Sequence, residues 1–373
     1  MTDMTYDRHA ARILDGTSWR ELLDRLRDAG QVIAREGSPE SALDRAEGYR
    51  YLSRILRAAL QTFVEHADPL APVLQRVVHE TAKMGADNPD NFYMNAAISG
   101  AHVYRIWGRR NTVHYLSFGT QVGHYGKGAG MPPSGFLEGS QLALEPDGSF
   151  EIAVSAERPE GAANWLPMKP ETGTLIVRQT RLDPATEQLA ELQIERVGAG
   201  KNPSEVTPKS IDEGLTQAGN LVAGAAMLFA TWAEGFRAHV NELPQFDAAL
   251  SNAFGGDPNI VYYHSYWELG PEEALVIDAT PPACDHWNFQ LNNHWMESLD
   301  YRYYRIHVNS KTAAYRPDGS VRIVVAHEDP GVPNWIQTVG HERGTMCFRW
   351  VRAAEHPQPV TRVVKLAEVA ALA

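Results

Sequence analysis

The chain repeats itself. Residues 146–178 read PDGSFEIAVSAERPEGAANWLPMKPETGTLIVR, and residues 317–349 read PDGSVRIVVAHEDPGVPNWIQTVGHERGTMCFR. Pro-Asp-Gly-Ser opens both copies. Ile152/Ile323, Val154/Val325, Glu157/Glu328, Pro159/Pro330, Asn164-Trp165/Asn334-Trp335, Gly173-Thr174/Gly344-Thr345 and Arg178/Arg349 then recur. Two single-residue gaps in opposite directions hold the offset at 170 to 171. Matches this dense point to two copies of one β unit.

Each copy has a physical reading as structure. Asp-Gly is a turn signal, the alternation after it is a strand, and Pro before Asn-Trp marks a loop pinned by a large aromatic. Gly-Thr leads into a further strand that ends in arginine. Because Arg178 and Arg349 are duplicated, they are expected to be structural ion-pair partners rather than anion ligands.

The rest of the chain arranges itself around the repeat. Residues 1–90 read as helices, with a capping box at Ser18 and Glu21, a second start at Ser38-Pro39 and a third at Pro72. From residue 91 to 200 short alternating runs separated by Gly, Pro, Asn and Asp form the first β unit. Thr207-Pro208 opens a helical insert within 201–250, and 251–373 is the second β unit. The expected class is α+β: two related antiparallel β-sandwich-like units, an N-terminal helical region and a helical insert between them.

PDGSVRIVVAHEDPGVPNW followed by GTMCFRW resembles the C-terminal signature of the bacterial family called domain of unknown function 1214. NPDNFYMNAAISGAHVYRI is similar to the entry of the companion family 1254 domain. The resemblance implies a β-sandwich-like pair with helices and brings no catalytic residues. The second copy departs from the family's Asn-Trp-Leu-Pro, reading Asn334-Trp335-Ile336-Gln337, whereas the first keeps Asn164-Trp165-Leu166-Pro167.

Composition narrows the function. With 46 acidic against 34 basic side chains the net charge is −12, which argues against a nucleic-acid partner. The two cysteines, Cys284 and Cys347, make neither a disulfide framework nor a CxxC motif. The most apolar stretch, Leu221–Ala233, has 13 residues, short of the ~20 that span a bilayer. No apolar signal-peptide core follows the N-terminus, so a cytoplasmic location without membrane association is expected. The Gly-rich stretch Gly123–Gly135 lacks the first Gly and the Ser/Thr of a P-loop, and reads as a loop or lid. No nucleotide or redox-cofactor motif is present, and no cofactor is expected.

Candidate chemistry concentrates in the second β unit. Read as a strand, Asp285–Trp295 presents His286, Asn288, Gln290, Asn292 and His294 on one face, with Trp287, Phe289, Leu291 and Trp295 on the other. The polar row suits acid–base chemistry near neutral pH or the solvated side of a half-exposed strand. Subtracting the repeat adds His327 and Asp329, which stand opposite Ala156 and Arg158. The catalytic candidates are therefore His294, His286, Asp329, Asp285 and His327. Substrate contacts are assigned to Asn288, Asn292, Trp287, Trp295 and Tyr263. A metal set from these histidines with Asp329 or Glu297 lacks HxH or HxxxH spacing, and no metal is assigned.

The functional expectation is an enzyme, a hydrolase or lyase, using acid–base chemistry on an apolar or aromatic metabolite. The alternative is a non-catalytic binding module for a small molecule or carbohydrate. A third reading gives the repeated units an oligomer interface.

Overall fold

A computed structural model describes residues 2–126, 130–198 and 202–372, with side chains described from residue 8 onward. The duplication runs through the whole β architecture. The first unit contains β1 (Asn91–Ala97), β2 (Tyr104–Arg109), β3 (Tyr115–Val122), β4 (Pro133–Glu138), β5 (Ser149–Ser155), β6 (Trp165–Pro167), β7 (Thr172–Thr180) and β8 (Glu191–Arg196). The second contains β9 (Ile260–Glu268), β10 (Glu273–Ala279), β11 (His286–Leu291), β12 (His307–Asn309), β13 (Val321–Ala326), β14 (Trp335–Gln337), β15 (Arg343–Val351) and β16 (Val360–Lys365). Sheet orders β1-β7-β3-β4 and β6-β5-β2-β8 recur as β9-β15-β11-β12 and β14-β13-β10-β16. Strand for strand the correspondence is complete, down to the short parallel pairs β5·β6 and β13·β14.

Each unit buries its own apolar faces as a sandwich. Phe118, Ile152, Val154 and Val177 sit in the first core; Trp287, Phe289, Ile323, Phe348 and Trp350 sit in the second. The repeated Asn-Trp is the loop anchor in both. Trp165 Nε1 donates to Ser155 O and Trp335 Nε1 to Ala326 O, each against its own sheet. Both rings are only half-buried. The neighbouring asparagines are the deeper pins. Asn164 bonds Ala143 and Glu151 backbone groups, and Asn334 bonds Ala314 and Arg322 in the same pattern.

The helices are α1 (Thr2–Leu14), α2 (Thr17–Ala34), α3 (Ala42–Leu60), the insert α4 (Pro208–Phe236) and a short α5 (Ala248–Ala253). Thr207 caps α4 as its sequence requires, accepting from Ser210 N. α4 is the hub: Leu221, Val222, Ala225 and Phe229 pack between the N-terminal helices and the β9–β15 face of the second unit. Several helix starts depart from expectation. Ser18 lies inside α2, and its hydroxyl donates to buried Asp212 on α4 instead of capping. Ser41, not Ser38, caps α3, while Ser38 bonds Val32 O. Pro72 opens no helix. The segment 66–90 runs irregularly, with Gln75 bridged to Asn95 on β1. Residues 127–129 of the Gly-rich stretch, Lys127 and Gly128 among them, lie outside the described residues. Its end is not loop but β4, paired with β3. Its start lies directly on α4, where a Cβ at Gly126 would stand 1.9 Å from Asn220 O. No described helix is long and apolar enough to cross a membrane.

Candidate functional site

The two units face each other through equivalent residues. Register sets Tyr93 against Arg178 on β1·β7 and Tyr262 against Arg349 on β9·β15. Each arginine then reaches across: Arg178 donates to Gly255 O, which leads into the second unit, and Arg349 to Ala86 O, which leads into the first. Each tyrosine hydroxyl accepts a backbone N–H at matching positions, from Asn88 and from Asp257. Ser117 and Asn288 hold Asp257 and Asn88 in the same exchanged sense. This reciprocity is that of a twofold interface, here built within one chain.

At that interface lies a cavity of about 200 Å³, well above the ~10–15 Å³ that admits one water. The duplicated residues form its polar floor: Arg178, Arg349, Tyr93, Tyr262, and the equivalent pair Asn95 and His264. Helix and loop residues supply apolar walls: Phe63, Tyr125, Phe229, Trp232, Phe246 and Phe254. The insert thus roofs the cavity, together with Tyr125 and Met131 of the Gly-rich stretch.

Its electrostatics are unusual in one respect. Arg178 and Arg349 are buried at 8% and 3% exposure, yet among the described residues neither has a carboxylate within 4.0 Å, buried Asp257 and Asp90 acting on them only from beyond that distance. The ion-pair role expected of them does not hold. Arg349 spends its donors on Asn288, Gln290 and Ala86 O, and Arg178 bonds Gly255 O. A guanidinium cannot shed its proton, so both charges persist. Burial, with Arg349 close by, lowers His264 to about 3, so its imidazole is neutral. That ring is stacked between Phe236 and Tyr262, and its buried Nδ1 has no hydrogen-bond partner among the described residues. Gln121 Oε1, also on the cavity lining, is likewise unpartnered. Burial pushes the Cys347 thiol up to about 11, which leaves it protonated beside His264.

The ten residues singled out from sequence stand elsewhere, and none lines the cavity. His294 is fully buried beyond β11, with Nδ1 3.1 Å from the Tyr266 hydroxyl. Burial, aided by nearby arginines, lowers it to about 3. His286 Nδ1 contacts Asp285 Oδ2 at 2.8 Å. His327 bonds Thr338 and Leu269 O, and Asp329 caps an exposed turn through Gly331 N. Trp287 and Tyr263 are core of the second sandwich, and Trp295 donates to Asp44 O of the helical layer. Asn292 bonds Gln290 and Thr345, and Asn288 bonds Asn88, Asp90 and Arg349. The polar face of β11 is therefore neither solvated nor a cleft wall. It is buried against the segment that leads into β1.

The comparisons with known proteins follow the same division of the chain. The family model described as "Protein of unknown function (DUF1214)" matches residues 134–183 and 274–355, which carry the two repeat copies. The stretch 88–106, which resembles the entry of the family 1254 domain, lies outside both matches. An uncharacterized protein of Burkholderia cenocepacia, solved by crystallography, is similar at 50% identity and a TM-score of 0.94, covering 96% of this chain and 99% of that one. The VPA0106 protein of Vibrio parahaemolyticus has 13% identity and a TM-score of 0.51, covering 92% of this chain and all of that one, and shares the fold alone. Among curated proteins nothing matches the chain.

Proposed function

Since the chain belongs to the family of unknown function DUF1214, whose name carries no activity, we propose its function from the cavity: it binds a small carboxylate with an apolar or aromatic body. The observation that carries this reading is the pair Arg178 and Arg349, two buried charges on one cavity floor with no carboxylate within 4.0 Å among the described residues. A buried charge is costly unless it is paired, and a guanidinium fork matches a carboxylate in geometry and sign. The ligand's carboxylate lies between the two forks, and its body rests against Phe229, Trp232 and Phe254.

The test is a panel of aromatic and branched-chain carboxylates set beside their primary amides, followed by calorimetry and thermal shift. Acids should bind and raise the melting temperature, and the amides should be weaker by ~10–100-fold, the worth of hydrogen bonds to a charged group. An amide that binds as well as its acid overturns the reading.

A second reading keeps the hydrolase or lyase expected from sequence but moves its chemistry to His264. What favours it is that His264 lines the cavity with a neutral imidazole whose Nδ1 is left unpartnered among the described residues. Turnover of a bound acid that is lost in His264→Gln, with binding retained, would establish it.

A further inference from the structure

A second constellation lies at the same unit interface but outside the cavity. His114 and Tyr115 stand where β3 begins, and Asp285 and His286 stand at the equivalent positions where β11 begins, 171 residues on. The interface brings His114, Asp285 and His286 together: His286 Nδ1 lies 2.8 Å and His114 Nε2 3.1 Å from the same oxygen, Asp285 Oδ2. All three ligand atoms fall within 4.8 Å of one another.

Hydrogen bonding accounts for only part of this. A carboxylate serving two imidazoles as a plain acceptor has two oxygens to share between them, yet both nitrogens crowd Oδ2. His286 makes a well-formed contact. His114 Nε2 lies at ion-pair distance from Asp285 but makes no well-formed hydrogen bond among the described residues. In a tetrahedral zinc site, ligand bonds of ~2.0–2.2 Å set neighbouring ligand atoms roughly 3.3 Å apart. The two spacings to Asp285, 2.8 and 3.1 Å, lie within about half an ångström of that value, and the two imidazole nitrogens lie within 4.8 Å of each other.

We propose that His114, Asp285 and His286 form a site for a divalent transition metal such as zinc, with the fourth position left to water. The donor set of two imidazoles and one carboxylate is of borderline softness and suits zinc or cobalt over magnesium or calcium. His114 and Asp285 are 25% and 27% exposed, which gives the ion an entry path, while buried His286 anchors it from beneath. The ligands come from both β units, so the ion would tie β3 to β11. Because the site is separate from the cavity, its fate does not depend on the carboxylate reading.

The experiment uses tag-free full-length protein, stripped with chelator and titrated with Co²⁺ and with Zn²⁺. One equivalent should bind, Co²⁺ should give the visible d–d absorption of a low-symmetry four-coordinate site, and Zn²⁺ should raise the melting temperature with concentration. His114→Gln, at a partly exposed position, and Asp285→Asn, which keeps shape, should each weaken binding by at least the ~10–100-fold that loss of even an outer partner costs. Circular dichroism confirms that the variants fold. Absence of saturable one-equivalent binding, or binding unchanged in His114→Gln, overturns the site.

Discussion

Arg178 and Arg349 hold equivalent places in the two β units, and each donates a hydrogen bond to the backbone carbonyl that introduces the opposite unit, Gly255 for one and Ala86 for the other. They are at once the rivets of the interface and the charges on the cavity floor. The two roles are separable by substitution.

Replacing Arg349 with Met should strip partners from Asn288, Gln290 and Ala86 O together. The expected loss is ~3–9 kcal/mol, at ~1–3 kcal/mol for each of the three buried groups left unpaired. Arg178→Met removes one interface bond and should cost less, while still abolishing carboxylate binding. Urea unfolding of both variants checks this, and equal losses would contradict it.

The repeated Asn-Trp gives an ordered pair of outcomes. Asn334 satisfies three backbone groups from a buried position, so Asn334→Ala should destabilise by ~3 kcal/mol. Trp335 is half-buried with one bond, so Trp335→Ala should cost about 2 kcal/mol, below the ~3–5 of a fully buried ring. Denaturation midpoints that reverse the order would show that the ring is the main anchor.

His264 and His294 set the acid limb of stability. Each is lowered to about 3 by burial, against 6.5 in the unfolded chain. Between these values the unfolded state binds protons that the folded state refuses, so stability falls as pH drops from about 6.5 toward 3. His294→Gln should reduce that slope by up to about 1.4 kcal/mol per pH unit, one proton's worth, measured by urea unfolding across the range. An unchanged slope would mean that His294 titrates normally. His341 acts in the opposite sense. Burial opposes its charge, but the Glu47 carboxylate 2.6 Å away raises it, so its contribution is full below 6.5 and fades at higher pH.

Ala86 and Gly255 are equivalents that share positive φ, 56° and 87°. At Gly255 a Cβ would also meet Gln121 Nε2 at 2.8 Å. Gly255→Val should therefore cost ~1–3 kcal/mol in backbone strain, and more through displacement of Gln121. Ala86→Gly relieves an alanine already held in that region and should stay within ~1 kcal/mol of the parent. Thermal unfolding distinguishes them, and a large loss in Ala86→Gly would refute the account.

The architecture was legible because the repeat was. Aligned residues such as Ile152/Ile323 and Val154/Val325 do occupy equivalent strands, and the matching extends to all eight pairs. The site was hidden by the same signal. Treating duplicated residues as scaffold discards Arg178 and Arg349, yet a cavity between two copies is necessarily lined by what they share. The one visible cue was the duplication of a charged residue directly after an apolar strand run, Val177-Arg178 and Phe348-Arg349. His286, Asn288 and Asn292 read as a ligand face because alternation reports polarity and not what covers it. Asn288 and Gln290 are covered by residues 87–90 and His286 by His114 and Tyr115; the segment 83–90 has no periodicity and so left no trace as an interface.

The exchange of contacts also orders events during synthesis. Arg178 leaves the ribosome 77 residues before the carbonyl of Gly255 that it meets. At about 5–20 residues per second, that is a wait of roughly 4–15 s. Once β8 has followed, the first sandwich has its strands but faces solvent along β1 and β7 with an unmatched guanidinium. The charge keeps that face from pairing with another nascent chain through apolar contact alone. A translational pause placed between residues 178 and 255 would lengthen that exposure, and the second unit, arriving later, would find its partner already formed.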